Sequence, residues 1–212
     1  KESAIKHSKK KRWELWEAKI VNAKIIHKRK IAFKDKNADY LYPNLSEDGN
    51  TLYFSSNING GAGGYDIYFI SKVNNIWNVT LQSFDEPINS KQDDLSPFYT
   101  NDTLYFSSNR DGGIGGFDIY YSVPKTKSNV TNLGYPINSE KDEVSLRKLS
   151  QNQFYLTTNR NVNYDILSLQ YSPIVYNLYG QLRYKQDSSL AVNHQMVITD
   201  KLTNEVIDTI FT

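Results

Sequence analysis

A seven-residue segment that occurs three times constrains the fold of this chain more than any other feature. Residues 51–57 read TLYFSSN, residues 103–109 repeat the same seven letters, and residues 153–159 return in the altered form QFYLTTN. The leucine and phenylalanine of the first two copies alternate with a tyrosine, which is the period of a buried β-strand. The chain is therefore expected to consist of repeated β units.

A turn and a linker accompany these strand segments in a fixed order. Residues 60–64 (GGAGG) and 112–116 (GGIGG) are glycine-rich, and the third copy shortens this turn to residues 161–163 (NVN). Linkers of related sequence, residues 86–90 (EPINS) and 135–139 (YPINS), join one unit to the next. Glycine lets the chain reverse without Cβ clashes, so the glycine-rich segments are expected to be hairpin turns.

An aromatic-Asp-Ile unit gives the period of the repeat. Its aspartate falls at Asp66, Asp118 and Asp165, with spacings of 52 and 47 residues. A period of about 40 to 50 residues that holds several short strands is typical of a β-propeller blade. The expected strands are 41–45, 51–56, 66–71 and 77–83, then 95–99, 103–108, 118–122 and 129–133, and finally 144–149, 153–158 and 164–170.

Nine residues recur at turns or at strand ends, and we expect them to be structural. In the turn at residues 46–49, the glycine tolerates a positive φ and the aspartate can accept hydrogen bonds from turn amides. A catalytic acid normally occurs once in a fold, whereas an acid repeated in every unit more often holds a turn. This repeat signature comprises Asp48, Gly49, Asn57, Asp66, Asp102, Asn109, Asp118, Asn159 and Asp165.

These segments resemble the PD-type repeat, the TolB-like propeller blade that is related to the WD repeat. The resemblance rests on S-x-D-G-x-T-L-Y-F-S-S-N at residues 46–57 and on G-G-x-G-G-(Y/F)-D-I-Y in the first two copies. It implies an all-β fold of TolB-like β-propeller blades, of which three are recognisable, followed by the start of a β-sandwich. Because a ring needs about four or more blades, missing blades, the head and tail strands or further chains are expected to complete it.

The set of blades is similar to that of OmpA-family outer-membrane proteins associated with type IX secretion and gliding. In that family a carboxypeptidase-regulatory-like β-sandwich and then a peptidoglycan-binding domain follow the propeller. Residues 179–183, 189–192, 195–200 and 205–209 are similar to the opening strands of that sandwich. The sandwich has no catalytic residues in this family, so the resemblance implies no enzyme.

Domain boundaries, localisation and partners follow from the same resemblance. The expected domains are a basic lead-in over residues 1–36, blades over residues 37–173 and a partial β-sandwich over residues 174–212. The sandwich is expected either to be cut by the end of the sequence or to be completed elsewhere. The resemblance implies a periplasmic, outer-membrane-associated protein that binds other envelope proteins, and that reaches peptidoglycan only through a domain absent from this chain. No segment has the roughly 18 to 20 apolar residues that span a bilayer, so no direct membrane span is expected.

The lead-in over residues 1–36 is strongly basic. It holds 13 Lys/Arg against 4 Asp/Glu, a net charge of +9 within a chain of net charge +2. Because no nucleic-acid motif accompanies this charge, a solvated basic face is favoured and no nucleic-acid partner is expected. The helical spacing of Trp13, Trp16 and Ile20 favours a helix up to about residue 24. Alternatively, Trp13 aligns with Trp77, and the lead-in then supplies the last strand of an earlier blade.

The residue types give little support for catalysis, metal binding or cofactor binding. The chain has no cysteine, and His7, His27 and His194 lie outside the repeats without grouped carboxylates. The acidic pairs at residues 93–94 and 142–143 recur, and adjacent residues of a strand point to opposite faces. We therefore expect no catalytic residue, no cofactor and no metal, with Ca²⁺ in the Asp- and Asn-rich loops as the weaker alternative.

Tyrosines near the strand edges form the candidate contact surface. A tyrosine buries a large area at low entropic cost and keeps a polar tip, which suits protein or glycan contacts. The alternative is that part of this set packs between blades. The expected function is a non-catalytic protein–protein interaction scaffold, and the alternative is a carbohydrate-binding or glycan-processing propeller. The candidate contact residues are Tyr40, Tyr42, Tyr99, Tyr120 and Tyr121.

Overall fold

The computed structural model describes residues 12–126, 128–150, 152–170, 183–193, 195–199 and 206–211. Within these ranges the fold is all-β, with one 3-10 turn at Pro124–Thr126 and no α-helix. Contacts divide the chain into two compact units, Lys1–Tyr171 and Ser172–Thr212. None of the described segments forms a helix that is long and apolar enough to cross a membrane.

The first described segment is a β-hairpin. Strands β1 (Trp16–Val21) and β2 (Lys24–Lys30) pair antiparallel. Asn22 and Ala23 connect them with positive φ values of 49° and 59°, which is the geometry of a two-residue hairpin turn. The predicted helix up to about residue 24 is therefore wrong over residues 12–24. The β-branched residues on both sides of the turn favour paired strands, and this preference outweighs the helical spacing of the tryptophans.

Two four-stranded sheets follow the hairpin. In each of them consecutive strands are antiparallel neighbours, so both sheets are simple meanders. The first sheet contains β3 (Tyr40–Leu45), β4 (Thr51–Ser56), β5 (Asp66–Val73) and β6 (Ile76–Ser83). The second sheet contains β7 (Asp94–Thr100), β8 (Thr103–Ser108), β9 (Asp118–Ser122) and β10 (Thr131–Asn132).

A third sheet has three strands in the described residues. It contains β11 (Glu143–Ser150), β12 (Gln153–Asn161) and β13 (Asn163–Gln170), in that order. All eleven strands expected from the repeat are present, although β10 is shorter than the expected strand over residues 129–133. The alternation of apolar residues and the turn residues therefore predicted the strands of all three units correctly.

The three sheets share one register. The strand that carries the aromatic-Asp-Ile unit starts opposite the end of the strand before it. The pairs are Ser56 with Asp66, Ser108 with Asp118, and Thr158 with Asp165. Because the register is the same, equivalent side chains of the three units occupy equivalent places in their sheets.

Apolar clusters lie between successive elements. The first joins Leu15 and Ile31 of the hairpin region to Phe54 and other residues of the first sheet. The second packs Ile67 of the first sheet against residues of the second, and the third packs Ile119 of the second sheet against residues of the third. The isoleucine of each of the first two aromatic-Asp-Ile units is thus buried against the sheet that follows it.

The second unit contains one short hairpin in its described residues. Strands β14 (Gln195–Thr199) and β15 (Val206–Phe211) pair antiparallel. An isolated antiparallel bridge joins Arg183 to Leu190. β14 lies within the expected segment 195–200, β15 extends two residues beyond the expected segment 205–209, and the β-sandwich itself stays a prediction.

Candidate functional site: the junctions between repeats

A hydrogen bond from one unit to the next recurs at three junctions. An aromatic residue donates its backbone N–H to the Oδ1 atom of an aspartate that precedes the first strand of the following sheet. The donors and acceptors are Trp13 to Asp39 at 2.9 Å, Tyr65 to Asp93 at 2.8 Å, and Phe117 to Asp142 at 3.0 Å. The carbonyl oxygens of the same three aromatic residues accept hydrogen bonds from the N–H groups of Tyr40, Asp94 and Glu143.

This equivalence identifies a fourth, partial copy of the repeat at the N-terminus. Residues 13–16 (WELW) take the places of residues 65–68 (YDIY) and 117–120 (FDIY). Strands β1 and β2 correspond to the third and fourth strands of a unit. The alternative alignment of Trp13 with Trp77 is therefore wrong, because Trp13 makes the contacts of Tyr65. Glutamate in place of aspartate and tryptophan in place of tyrosine hid this copy in the sequence.

The signature asparagines hold the aspartates of these junctions. Each accepts a hydrogen bond at its Oδ1 atom from the aspartate N–H, at distances of 2.7, 2.9 and 2.8 Å. The pairs are Asp39 with Asn57, Asp93 with Asn109, and Asp142 with Asn159. Burial alone would raise the pKa of Asp39, but the hydrogen bonds from Trp13 and Arg12 outweigh it, so this pKa is lowered.

The repeated aspartates Asp66 and Asp118 hold the glycine-rich turns. Asp66 accepts the N–H of Gly63 at 3.2 Å, and Asp118 accepts the N–H of Gly115 at 3.2 Å. Both side chains are buried, and burial raises the pKa of Asp66 more than the bond from Gly63 lowers it. Asp165, the third copy, is exposed, and the shortened turn around Val162 has no equivalent glycine amides.

Asparagines in the linkers bind the preceding unit through its backbone. Asn89 accepts the N–H of Ile67 at 2.8 Å and donates to the carbonyls of Ile67 and Phe84 at 3.0 and 2.9 Å. Asn138 makes the same pair of bonds with Ile119, at 2.8 and 2.9 Å. These amide side chains pair with the strand as a neighbouring backbone would. Their recurrence in the two linkers was the sequence signal for this role, which the repeat signature omitted.

Two buried carboxylates and two arginines clamp the linkers to the following sheet. Asp94 and Glu143 are fully buried and accept Nη2–H of Arg110 at 2.6 Å and of Arg160 at 2.9 Å. Each arginine also donates to the carbonyl oxygens of the Pro-Ile pair in its linker. The linker serine donates to the same carboxylate through both its N–H and its hydroxyl. The recurrent acidic pairs are thus engaged within the fold.

Close backbone contacts explain why glycine recurs at one position of the glycine-rich turn, Gly63 in the first copy and Gly115 in the second. A Cβ atom on Gly63 would lie 1.9 Å from the carbonyl oxygen of Gln92, and one on Gly115 would lie 2.0 Å from that of Lys141. The glycine-rich turn therefore lies directly on the linker that follows, where no other residue fits.

The remaining signature residues form hairpin turns away from these junctions. Asp48 accepts a hydrogen bond from the hydroxyl of Ser46, which lowers the pKa of Asp48. Gly49 has a φ of 71°, which favours glycine. Asp102 forms an exposed ion pair with Lys125 at 2.7 Å, and this bond lowers the pKa of Asp102.

The five candidate contact tyrosines do not form one surface. Tyr40 and Tyr120 are buried in two different apolar clusters, and burial raises the pKa of Tyr40 to about 12. Tyr99 and Tyr121 are half-buried, and Tyr42 is exposed. The alternative, that part of the set packs inside the fold, applies to Tyr40 and Tyr120.

Exposed apolar side chains occur on the first sheet, on the third sheet and on the N-terminal hairpin. Ile166 is 72% exposed, although its equivalents Ile67 and Ile119 are 0% exposed. Tyr155 and Tyr164 of the same sheet are also exposed, as are five side chains of the hairpin region, Trp13, Trp16, Ile20, Val21 and Ile25. Sequence reasoning missed these residues because a repeat pattern does not show which copy has a neighbour.

Titratable residues form no evident metal cluster in the part of the chain that the structure describes. No group of three or more His, Asp or Glu side chains there could hold an ion. His27 is exposed on β2, while His7 and His194 lie outside the described residues. No protein-family model matches the sequence, and a comparison with curated proteins also finds no match.

Proposed function

We propose that this chain is a segment of a TolB-like β-propeller that acts as a non-catalytic protein-binding scaffold. We further propose that it belongs to a larger OmpA-family envelope protein of the type IX secretion and gliding kind, at the periplasmic side of the outer membrane. The observation that carries the scaffold function is the use of the recurrent polar residues. Asp66 holds the glycine-rich turn of its own unit, Asp93 binds the preceding unit, and Asp94 holds the linker that joins the two.

The surface of the third sheet supports protein binding. Its exposed Ile166 and Tyr155 stand where the other sheets have Ile67, Ile119 and Tyr105 packed against a neighbour, and Tyr164 is exposed two residues before Ile166. Aromatic and aliphatic side chains that are exposed together are typical of the central part of a protein interface. A scaffold with such a face binds a partner protein that covers these exposed side chains.

A groove between the first two sheets favours glycan binding as the second candidate function. It has a volume of about 520 Å³ and is bordered by Tyr53, Tyr99, Asp48 and Asp102, among others. The Tyr53 and Tyr99 rings stack at 4.9 Å. Aromatic rings beside carboxylates and hydroxyls suit a sugar, which presents apolar faces and hydroxyl groups together. Binding of this chain to a glycan array, lost on Tyr99→Ala, would favour this candidate.

The scaffold function is tested by capture from an envelope extract of the source organism. The wild-type chain, Ile166→Glu and the control Val73→Glu are immobilised at equal density. Val73 is also exposed, but it lies on the first sheet. We expect a defined protein to be retained by the wild type and by Val73→Glu, and its amount to fall at least about tenfold on Ile166→Glu. Equal retention by all three, or by none, contradicts the proposal.

A further inference from the structure

One asparagine–glycine pair, Asn59–Gly60, lies in the turn between β4 and β5. It is the only Asn–Gly dipeptide in the sequence. Both residues are exposed, and Gly60 has a φ of 92° with open space where a Cβ atom would lie. Because glycine carries no Cβ, the peptide nitrogen after Asn59 is sterically open to the carbon of the Asn59 side-chain amide.

Hydrogen bonding leaves both groups of this pair free to react. In the part of the chain that the structure describes, the side-chain amide of Asn59 and the N–H of Gly60 have no hydrogen-bond partner. Two linker asparagines that precede a serine, Asn89 and Asn138, are by contrast buried and bound to backbone groups. A bound side chain is held away from the next peptide nitrogen, whereas the side chain of Asn59 can approach it.

The other two copies of the repeat differ at this position. The second copy has Asp111–Gly112 here, and Gly112 has a φ of 83°. The third copy has Asn161–Val162, in which a β-branched side chain crowds the peptide nitrogen. The turn thus accepts an aspartate at this position, and Asn161 is a natural control for Asn59 within the same chain.

We propose that Asn59 is a site of spontaneous deamidation in the folded protein. The nitrogen of Gly60 loses its proton to solvent base and attacks Cγ of Asn59. The Cγ–Nδ2 bond breaks as Nδ2 takes up a proton and leaves as ammonia, which closes a succinimide ring. Water then opens the ring at Cγ to give aspartate, or at the backbone carbonyl carbon to give isoaspartate, in which the main chain runs through Cγ. The modification requires only water and is independent of the proposed binding function.

The isoaspartate product adds one carbon atom to the main chain just before a turn that has no spare room. A Cβ atom on Gly61 would overlap the carboxylate of Asp66, and one on Gly63 would overlap the carbonyl oxygen of Gln92. Asp66 also accepts the N–H of Gly63 at 3.2 Å. The lengthened main chain is therefore expected to displace this amide from Asp66, whereas an aspartate at position 59 leaves the turn as it is in the second copy.

Peptide mass mapping of the full chain, incubated at pH 6 and at pH 8, tests the site by following the exchange of NH2 for OH at each asparagine. We expect Asn59 to convert at least about tenfold faster than its counterpart Asn161 and than the bound Asn89. Its conversion should be at least about tenfold faster at pH 8 than at pH 6, because the nitrogen must lose its proton before it attacks.

Asn59→Gln is the matched control variant. Its longer side chain would have to close a larger ring, so conversion at this position should fall at least about tenfold. Circular dichroism melting checks that the variant folds.

Three results would overturn the site. The first is that Asn59 remains intact in the folded chain; a parallel sample unfolded in urea then shows whether the fold blocks the reaction. The second is equal conversion at Asn59 and Asn161. The third is an unchanged gain of mass in the Asn59→Gln chain, which means that another residue reacts.

Amide hydrogen exchange of Gly63 tests the structural effect of the two products. The isoaspartate form is separated from the incubated sample by chromatography, and Asn59→Asp supplies the aspartate form. We expect the Gly63 amide to exchange at least about tenfold faster in the isoaspartate form than in the wild type, and within about twofold of the wild type in Asn59→Asp. Equal exchange in the two forms would mean that the turn absorbs the added carbon, and would contradict the expected displacement.

Discussion

The linker asparagine Asn89 offers the sharpest test of how one repeat is held to the next. Asn89→Ala removes three hydrogen bonds, to the N–H and C=O of Ile67 and to the C=O of Phe84. The side chain is only 2% exposed, so water cannot easily replace these bonds. At about 1 kcal/mol for each lost bond, and more for each buried group left unpaired, the free energy of unfolding should fall by about 3 kcal/mol or more.

Urea unfolding followed by tryptophan fluorescence measures this change. All three tryptophans, Trp13, Trp16 and Trp77, lie in the unit that contains Asn89, so the signal reports that unit alone. Asn138→Ala serves as an internal replicate, because Asn138 makes the same bonds to Ile119. Asn78→Ala is the control, because Asn78 is exposed on β6, and it should change the free energy by less than about 0.5 kcal/mol.

Asn89→Asp separates hydrogen bonding from side-chain size. The carboxylate keeps the acceptor for the Ile67 N–H but opposes two carbonyl oxygens with negative charge. At pH 7 this variant should be at least as unstable as Asn89→Ala, and acid should partly restore it, because a protonated carboxyl can donate one bond. A loss below about 1 kcal/mol for Asn89→Ala, or equal losses for Asn89→Ala and Asn78→Ala, would refute the reasoning.

Three further predictions follow from the junctions. Asp66→Ala and Asp118→Ala should each lower the free energy of unfolding in urea by about 1 to 3 kcal/mol, while Asp165→Ala should change it by less than about 0.5 kcal/mol, because only the third copy is exposed. Arg110→Met should lower it by about 3 kcal/mol, because Asp94 is then left buried without its cation, whereas Lys125→Met, at an exposed pair, should have little effect. Asp39 has a lowered pKa in the folded chain, so its stabilisation is present above the unfolded pKa of about 3.9 and is lost as the pH falls through the folded pKa. The stability difference between wild type and Asp39→Asn, measured by urea titration from pH 7 to pH 2.5, should therefore shrink toward acid pH; a constant difference would contradict this.

The repeat made most of the fold predictable. The period-two alternation of apolar residues and the turn residues predicted strands β3 to β13. Because each copy has the same local preferences, the strands assigned in one copy also predict those of the next. The helix predicted for the lead-in was wrong because Trp13, Trp16 and Ile20 fit helical spacing, while the hairpin depends on two left-handed turn residues, Asn22 and Ala23. Such a turn is a local backbone property that apolar spacing does not report.

The candidate site was only partly predictable. The structural role of Asp66 and Asp118 followed from repetition, whereas Asp165 is exposed and its shortened turn has no glycine amides for it to bind. The roles of Asn89 and Arg110 needed coordinates, because each binds backbone groups about 20 residues away. The burial of Tyr40 and Tyr120 also needed coordinates, because it is decided by the neighbouring element; a contact role for Tyr42, Tyr99 and Tyr121 stays a prediction.

The central claim is that the linker after each of the first two units covers the aromatic-Asp-Ile strand of that unit through its asparagine, and that no residue in the described part of the chain covers the third copy in this way. Amide hydrogen exchange of three equivalent residues tests this directly. Ile67 and Ile119 donate their N–H groups to Asn89 and Asn138, and the shared register points the N–H of Ile166 to the edge of β13 with which no described strand pairs. We predict slow exchange at Ile67 and Ile119 and exchange at least about a hundredfold faster at Ile166; equal rates at all three would contradict the account.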